Sequence, residues 1–299
     1  MKYLLYHISH RTIYDYASPV SVSHHLVRLR PRTSANQRCQ RHEVTINPES
    51  AATSLRRDYF GNDHQFVTIE GAHEKLEVIA ESEVAVALAF IPDAAETPPW
   101  QVARGMALSD HSLASQTARE FVFESPRIRI TEEIREYATE SFPKGRPLME
   151  AALELTRRIH QDFEFDPTAT DVTTPLDVVF AKRKGVCQDF SHFEIACLRS
   201  LGIPARYVSG YLETDPPPGQ VKLVGSDASH AWTSFYCPGI GWIDVDPTNN
   251  CIPSMRHITV AYGRDYGDVA PLRGVIVGSG EHILTVGVDV IPKGPIDLQ

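Results

Sequence analysis

The spacing of apolar residues changes along this chain and separates β-rich stretches from a helical one. Up to about Phe90, β-branched and aromatic residues mix with polar ones in short runs such as Tyr3–Tyr16 and His24–Arg30. Turn-forming residues separate these runs at Ser18-Pro19, Asn47-Pro48 and Gly61-Asn62-Asp63. We therefore predict an antiparallel β-rich domain over residues 1–90.

Helical spacing follows a proline-rich stretch. Residues 91–130 are predicted to be a linker and connecting helix. Helices are predicted over Thr131–Ser141 and Leu148–Asp162, then from Thr173 to about Lys184, where Gly185 stops the helix, and from Val186 to Gly202. From Ala205 the pattern is again that of strands. The fold class is therefore α+β, with a core of helices and strands over residues 131–262 and a C-terminal loop and strands over 263–299 that complete the fold.

Composition restricts the classes of function. The 299 residues carry a net charge of −9, which argues against a nucleic-acid binder, because such proteins usually present a basic face. The stretch Arg28–Arg41 holds five arginines and no acid, and we interpret it as a solvated strand face. The pattern gives no indication of the oligomeric state.

Cysteine usage and the N-terminal residues predict a cytoplasmic protein. Met1–His7 lacks the apolar run of a secretory signal, and no segment has the apolar length of a membrane span. Five cysteines cannot all pair within one chain, which favours a reducing compartment. No group among the thirteen histidines, His192 included, forms a convincing ligand set with Cys187, so we predict neither metal nor cofactor.

Cys187 is the candidate nucleophile. It lies in the first turn of a predicted helix behind Gly185, where free backbone N–H groups and the helix dipole stabilise a thiolate. The basic run Lys182–Lys184 is expected to add positive potential. The remaining cysteines, Cys39, Cys197, Cys237 and Cys251, are interpreted as structural.

His230 is the candidate base. It shares a strand face with Trp232, which we predict to be a supporting residue. If the following hairpin is centred on Gly239, Asp246 lies diagonal to His230, at roughly 7–8 Å between Cα atoms. Asp244 then lies about four residues away along the sheet, roughly 13 Å, which is too far. The pattern therefore predicts Cys187 as nucleophile, His230 as general base and Asp246 as its orienting acid.

An acyl-transfer reaction also needs donors for the developing oxyanion. The backbone N–H of Cys187 is one candidate. Gln188 and Tyr207 are the candidates for a second donor, and the pattern does not choose between them.

These segments resemble the transglutaminase-like core. Gly185-Val186-Cys187 with Leu198–Tyr211 resembles its nucleophile helix and next strand; Ser229–Trp232 resembles its histidine strand and Gly241–Thr248 its aspartate strand. The first 90 residues resemble the β-rich region that precedes this core in many bacterial members. The resemblance implies a papain-like core, no metal requirement, and a peptide or protein amide as substrate.

The resemblance leaves the reaction open. A hydrolytic cysteine protease or amidase is favoured, because the chain lacks the extra barrels and calcium loops of animal crosslinking enzymes. A protein-glutamine transglutaminase and a catalytically silent binding or scaffold protein are the alternatives.

The loop from Ala261 to Arg273 is the candidate gate for substrate. Arg264 and Tyr266 lie in a polar, glycine-punctuated segment after the predicted active-site strands. We expect both side chains to bind substrate, and the β-rich N-terminal region to form one wall of the cleft.

Overall fold

A large antiparallel sheet, a smaller antiparallel sheet and a group of helices make up the fold in the computed structural model, which describes residues 2–215, 225, 227–278 and 281–297. The strands are β1 (Lys2–Val27), β2 (Gln37–Asn47), β3 (Ala52–Arg57), β4 (Asp63–Val86), β5 (Glu164–Phe165), β6 (Lys184–Gly185), β7 (Ala205–Leu212), β8 (Ala228–Cys237), β9 (Gly241–Val245), β10 (His257–Gly263), β11 (Leu272–Val277) and β12 (His282–Asp297). The helices are α1 (Trp100–Ser109), α2 (Leu113–Arg119), α3 (Glu132–Ser141), α4 (Leu148–Asp162), α5 (Leu176–Lys182), α6 (Cys187–Ser200) and α7 (Tyr266–Val269), with 3₁₀ turns at Ala94–Glu96 and Glu120–Val122.

The large sheet joins both ends of the described chain. Its strand order is β11-β1-β4-β2, with β12 also paired to β1 and β3 to β4. The first half of β1 pairs with β12, from Lys2↔Asp297 to Tyr16↔His282, and the second half pairs with β11. The N-terminal part of the chain is therefore antiparallel and β-rich, and its sheet also contains β11 and β12 from the C-terminal region.

Strand β1 is longer than predicted. The expected turn at Ser18-Pro19 is wrong, because β1 runs without a break from Lys2 to Val27. The pairing of β1 with β4 shifts register between Asp15 and Val20. A proline is tolerated at such an irregularity because the regular ladder there is interrupted.

The smaller sheet has the order β10-β7-β8-β9, and helix α6 packs against β7 and β8. Phe193 of α6 lies at the centre of an aromatic cluster, with its ring centroid 4.8 Å from those of Phe163 and Phe180 and 5.2 Å from that of Tyr137. Burial of a phenylalanine contributes about 1.5–3 kcal/mol. This packing fixes α6, and with it the position of Cys187.

The helix ends agree in part with the caps predicted from the sequence. The Thr131 hydroxyl accepts the N–H of Ile134 and caps α3, as predicted. Helix α5 ends at Lys182 and is capped by Arg183, not stopped by Gly185. Arg183 adopts the left-handed conformation (φ 55°), and its guanidinium lies 4.1 Å from the centroid of the Phe180 ring. Cation–π contacts stabilise this ending without glycine. Among the described helices, none is long and apolar enough to cross a bilayer.

Candidate active site

Cys187 is the first residue of α6 and is half-buried. The Asp189 carboxylate reaches back and accepts the N–H of Val186 at 2.8 Å. A Cβ atom at Gly185 would lie 2.4 Å from Asp189 Oδ2, so glycine is required for this closure. The first N–H groups of a helix have no intrahelical acceptor, and their positive potential is directed toward the start of α6.

His230 is placed by the pairing of β8 with β7 and β9. The register pairs Ser234 with Asp244 and Cys237 with Gly241, so the hairpin is centred on Gly239 as predicted. Asp246 then follows the end of β9, and its Oδ2 atom lies 2.7 Å from Nε2 of His230. The structure thus brings Asp246, and not Asp244, into contact with His230.

Asp246 is fully buried and accepts several hydrogen bonds. Its Oδ1 atom accepts the backbone N–H groups of Thr248 (2.9 Å) and Asn249 (3.1 Å). Its Oδ2 atom accepts from His230, from the Asn249 side-chain amide (2.7 Å) and from His257 (3.2 Å). Burial would raise the pKa of this carboxyl, but hydrogen bonds from His230, His257 and Asn249 outweigh burial and hold the pKa well below its usual range.

The His230 ring connects Asp246 to the thiol. Burial lowers the pKa of His230, but hydrogen bonds to Asp246 and to the Cys187 side chain outweigh burial, and the net pKa is raised. Because Asp246 and Asn249 both approach Nε2, the remaining ring nitrogen, Nδ1, is the one left for the thiol. Asp246 is thus hydrogen-bonded to His230, and the nearby Cys187 side chain helps to favour the imidazolium; we call these three residues the Cys187–His230–Asp246 series.

Sequence reasoning missed His257 and Asn249. Asn249 follows Asp246 within Pro247-Thr248-Asn249, a composition typical of a turn that binds its own backbone, and this could have indicated its role. His257 begins a different strand, β10, and no local pattern connects it to Asp246.

A cleft of about 320 Å³ opens above Cys187. The large sheet forms one wall and the smaller sheet with α6 forms the other. The residues lining the cleft are His10, Thr12, Tyr14, Cys187, Gln188, Tyr207, Ser209, Ser229, His230, Ala231, Tyr266, Pro271, Leu272, Leu284 and Val286. Burial lowers the pKa of His10 to about 4, so its ring is neutral at neutral pH. Outside Cys187 and His230, the lining is therefore uncharged.

The structure brings three of the five predicted supporting residues into the cleft. Gln188, Tyr207 and Tyr266 line it. Trp232 and Arg264 do not. The Arg264 guanidinium is paired with Asp268 (Nε to Oδ2, 2.9 Å), so its predicted place beside the substrate is not observed.

The basic residues Lys182–Lys184, which precede Cys187, contact other groups. Lys184 pairs with Glu164 at 2.8 Å, Lys182 donates to the carbonyl oxygen of Ala169, and Arg183 stacks on aromatic rings. Each of these side chains thus has a partner other than Cys187, and their expected contribution to the thiolate stays a prediction.

Trp232 does not line the cleft and packs instead against His257. Its ring packs edge-on against His257, with centroids 5.3 Å apart, and its Nε1 donates to Asp244 at 3.0 Å. Asp244 thus holds Trp232 and not His230.

His192 supports the loop that carries Tyr266. Its Nε2 atom accepts the N–H of Tyr266 at 3.1 Å, and its ring centroid lies 5.0 Å from that of Tyr207. Burial lowers the pKa of His192 to about 3, so the ring is neutral and can accept this bond.

Three buried side chains in the described part of the chain have the residue types of a metal site. The ligand atoms of His230, Asp246 and His257 all lie within 4.8 Å of one another. These atoms are hydrogen-bonded among themselves, and a cation would have to displace the proton between His230 and Asp246. The absence of a metal requirement stays a prediction.

Comparison with known proteins shows the family of this chain. Residues 6–85 match the bacterial transglutaminase-like N-terminal region, and residues 135–247 match the transglutaminase-like superfamily. The chain is 40% identical over 295 residues to an uncharacterized protein of Mycobacterium tuberculosis, covering 96% of this chain and 92% of that protein. The chain belongs to the transglutaminase-like superfamily.

Two further proteins are similar. A solved structure of a candidate cysteine protease from Cytophaga hutchinsonii has a TM-score of 0.78 at 20% identity, covering 100% of this chain and 94% of that one. At this identity the likeness shows the fold, a papain-like and transglutaminase-like α+β architecture. A protein-glutamine gamma-glutamyltransferase of Pseudomonas aeruginosa is 33% identical over 133 residues, which cover 43% of this chain and 19% of that protein.

Proposed function

We propose that the protein is a cysteine-dependent enzyme that opens an amide through a thioacyl intermediate and transfers the acyl group to water. The observation that carries the proposal is the hydrogen bond between buried Asp246 and His230, with His230 and Cys187 lining the same open cleft at the start of α6. A binding or scaffold protein has no need of this arrangement of a nucleophile, a base and a buried acid.

The reaction uses each member of the series. The Cys187 sulfur bonds to the amide carbonyl carbon, and the oxygen takes up the negative charge beside the N–H groups at the helix start. The C–N bond then breaks, and the amine leaves with the proton held by His230. Water attacks the thioester and gives a proton to His230; the C–S bond breaks, and the carboxylic acid leaves.

Asp246 fixes the ring during both halves of the reaction. Its bond to Nε2 orients His230 and stabilises the imidazolium that pairs with the thiolate. Gln188 and Tyr207 both line the cleft and remain the candidates for the second oxyanion donor.

Transfer to an amine is the second candidate function. A segment of 133 residues, 43% of this chain, is similar to the Pseudomonas aeruginosa protein-glutamine gamma-glutamyltransferase. This similarity favours transfer to an amine. The two functions share the acyl-enzyme and differ only in the acceptor.

The substrate class and the compartment are part of the proposal. A peptide or protein amide suits an open cleft with one wall from each sheet. All five cysteines are free, which supports a reducing, cytoplasmic setting.

The test uses an activated ester, p-nitrophenyl acetate, as a substrate-independent acyl donor. Wild type should release a burst of p-nitrophenol, and peptide mapping should find the acetyl group on Cys187. Cys187→Ser should lose the burst, whereas Cys39→Ser, which alters another half-buried thiol, should keep it. Acylation that is independent of Cys187 would refute the proposal.

The acceptor is then measured by adding a primary amine to the acyl-enzyme. Hydrolysis predicts acetate as the main product at millimolar amine. A main product that carries the amine would establish the transferase alternative.

A further inference from the structure

Two histidines share one carboxylate oxygen in this site. Oδ2 of Asp246 lies 2.7 Å from Nε2 of His230 and 3.2 Å from Nε2 of His257. All three side chains are buried, with exposed fractions of 0%, 7% and 8% respectively. His230 reaches the cleft, whereas His257 is not among the cleft-lining residues.

The backbone fixes the tautomer of His257. The Nδ1 atom of the His257 ring accepts the backbone N–H of Ser254 at 3.2 Å. The backbone N–H of His257 donates to the carbonyl oxygen of Ser254 at 3.1 Å. A neutral imidazole with Nδ1 as acceptor carries its proton on Nε2. His257 therefore donates to Asp246 and does not compete with it for a proton.

Aromatic packing fixes the His257 ring from another side. Trp232 meets it edge-on at 5.3 Å, and Asp244 holds the indole N–H. Gly210 leaves room for Trp232, since a Cβ atom there would lie 2.5 Å from the indole. The donor atom of His257 is thus held in place before any substrate binds.

Asp246 has little freedom as a result. Two backbone N–H groups hold Oδ1, while His257 and Asn249 hold Oδ2 at the point where His230 donates. Loss of the His257 donor would leave a buried carboxylate with one hydrogen bond fewer on the oxygen that orients the base.

We infer that His257 is a positioning residue for the proposed acyl transfer: it acts through Asp246 to hold the His230 ring against Cys187. The inference rests on the proposed function. Groups that orient metal-ligating histidines typically contribute about 10- to 100-fold in activity, and we expect an effect of the same order from His257 on His230.

The experiment compares two substitutions of similar size. His257→Gln keeps an N–H donor near the position of Nε2, and His257→Leu removes it. With p-nitrophenyl acetate as substrate, His257→Leu should lower kcat about 10- to 100-fold at unchanged KM, and His257→Gln should restore most of the loss. His42→Leu, which removes a histidine bonded to Ser82 in the large sheet, should keep the wild-type rate.

The outcomes separate this inference from the proposed function. If wild type does not acylate Cys187, both fail. If wild type is acylated and His257→Leu is equally fast, only the role of His257 fails. If His257→Gln and His257→Leu lose kcat by the same factor and lower Tm by the same amount, His257 acts in folding alone, and the inference is overturned. Stoichiometric Zn²⁺ binding that wild type needs for activity, and that His257→Gln loses, would overturn it in favour of a metal site.

Discussion

Asp246 and His230 are held together by the β8–β9 hairpin, and their closest atoms, Oδ2 and Nε2, are 2.7 Å apart. Asp244, two residues earlier, accepts a hydrogen bond from the Trp232 indole N–H instead. Asp246→Asn should therefore lower turnover about 10²- to 10⁴-fold, because the amide no longer fixes the tautomer or stabilises the imidazolium.

The matched control for that variant is Asp244→Asn. Asparagine keeps an oxygen for Trp232 Nε1, so turnover should stay within a few-fold of wild type. Steady-state kinetics of both variants checks the assignment, and a larger loss in Asp244→Asn would contradict it.

Cys187 should be the thiol that iodoacetamide labels first at pH 7. Burial raises the pKa of Cys39, and raises the pKa of Cys237 and Cys251 to about 11, so on the order of one in 10⁴ of the latter two are thiolates at that pH. Cys197 is fully buried, and burial raises its pKa too. Peptide mapping after limited alkylation measures the order, and earlier labelling of Cys39 or Cys251 would remove support for the mechanism.

Tyr266 and Arg264 should behave differently although they are neighbours. Tyr266 lines the cleft, so Tyr266→Ala should raise KM several-fold. The Arg264 guanidinium faces Asp268 and is 43% exposed, so Arg264→Ala should leave kinetics unchanged and cost at most about 1 kcal/mol of stability. Kinetics combined with thermal unfolding tests this pair, and equal kinetic effects would argue against the geometry of the loop.

Glu194 should make stability depend on pH. Burial raises its pKa to about 8, well above the value of about 4.3 expected in the unfolded chain. At a pH between these two pKa values, Glu194 is protonated in the folded state and ionised in the unfolded state. The free energy of unfolding therefore falls as pH rises, by up to about 1.4 kcal/mol per pH unit. Glu194→Gln should remove this slope.

Urea unfolding from pH 5 to 8 measures the dependence on Glu194. Glu136→Gln, an exposed glutamate on α3, should keep the wild-type slope. An unchanged slope in Glu194→Gln would mean that Glu194 is ionised in the folded protein.

Gly210→Ala should destabilise the fold by about 3 kcal/mol or more. The added Cβ atom would lie 2.2 Å from the carbonyl oxygen of Ile258, a backbone atom that cannot move away easily, and 2.5 Å from the Trp232 ring. Gly105→Ala is the control. It lies in α1 with open space around it and should stabilise by up to about 1 kcal/mol. Comparison of Tm values checks both signs.

Local patterns predicted the residues whose positions depend on nearby sequence. A helix start places Cys187, and hairpin register places Asp246 beside His230, because both follow from spacings of a few residues. The pairing of β1 with β12 and the contact of His257 with Asp246 depend on distant segments meeting in space, which no local spacing encodes. The same holds for the contacts of Arg183 with Tyr137 of α3 and with Phe163, which follows α4.

The pairing of β1 with β12 has a consequence for the order of events during translation. Cys187, His230 and Asp246 all leave the ribosome before β12, which supplies Leu284 and Val286 to the cleft wall. Under the proposed function, a nascent chain therefore carries its three proposed reacting groups before this wall of the cleft can form. The cleft wall that contains Leu284 and Val286 is completed only when β12 pairs with β1.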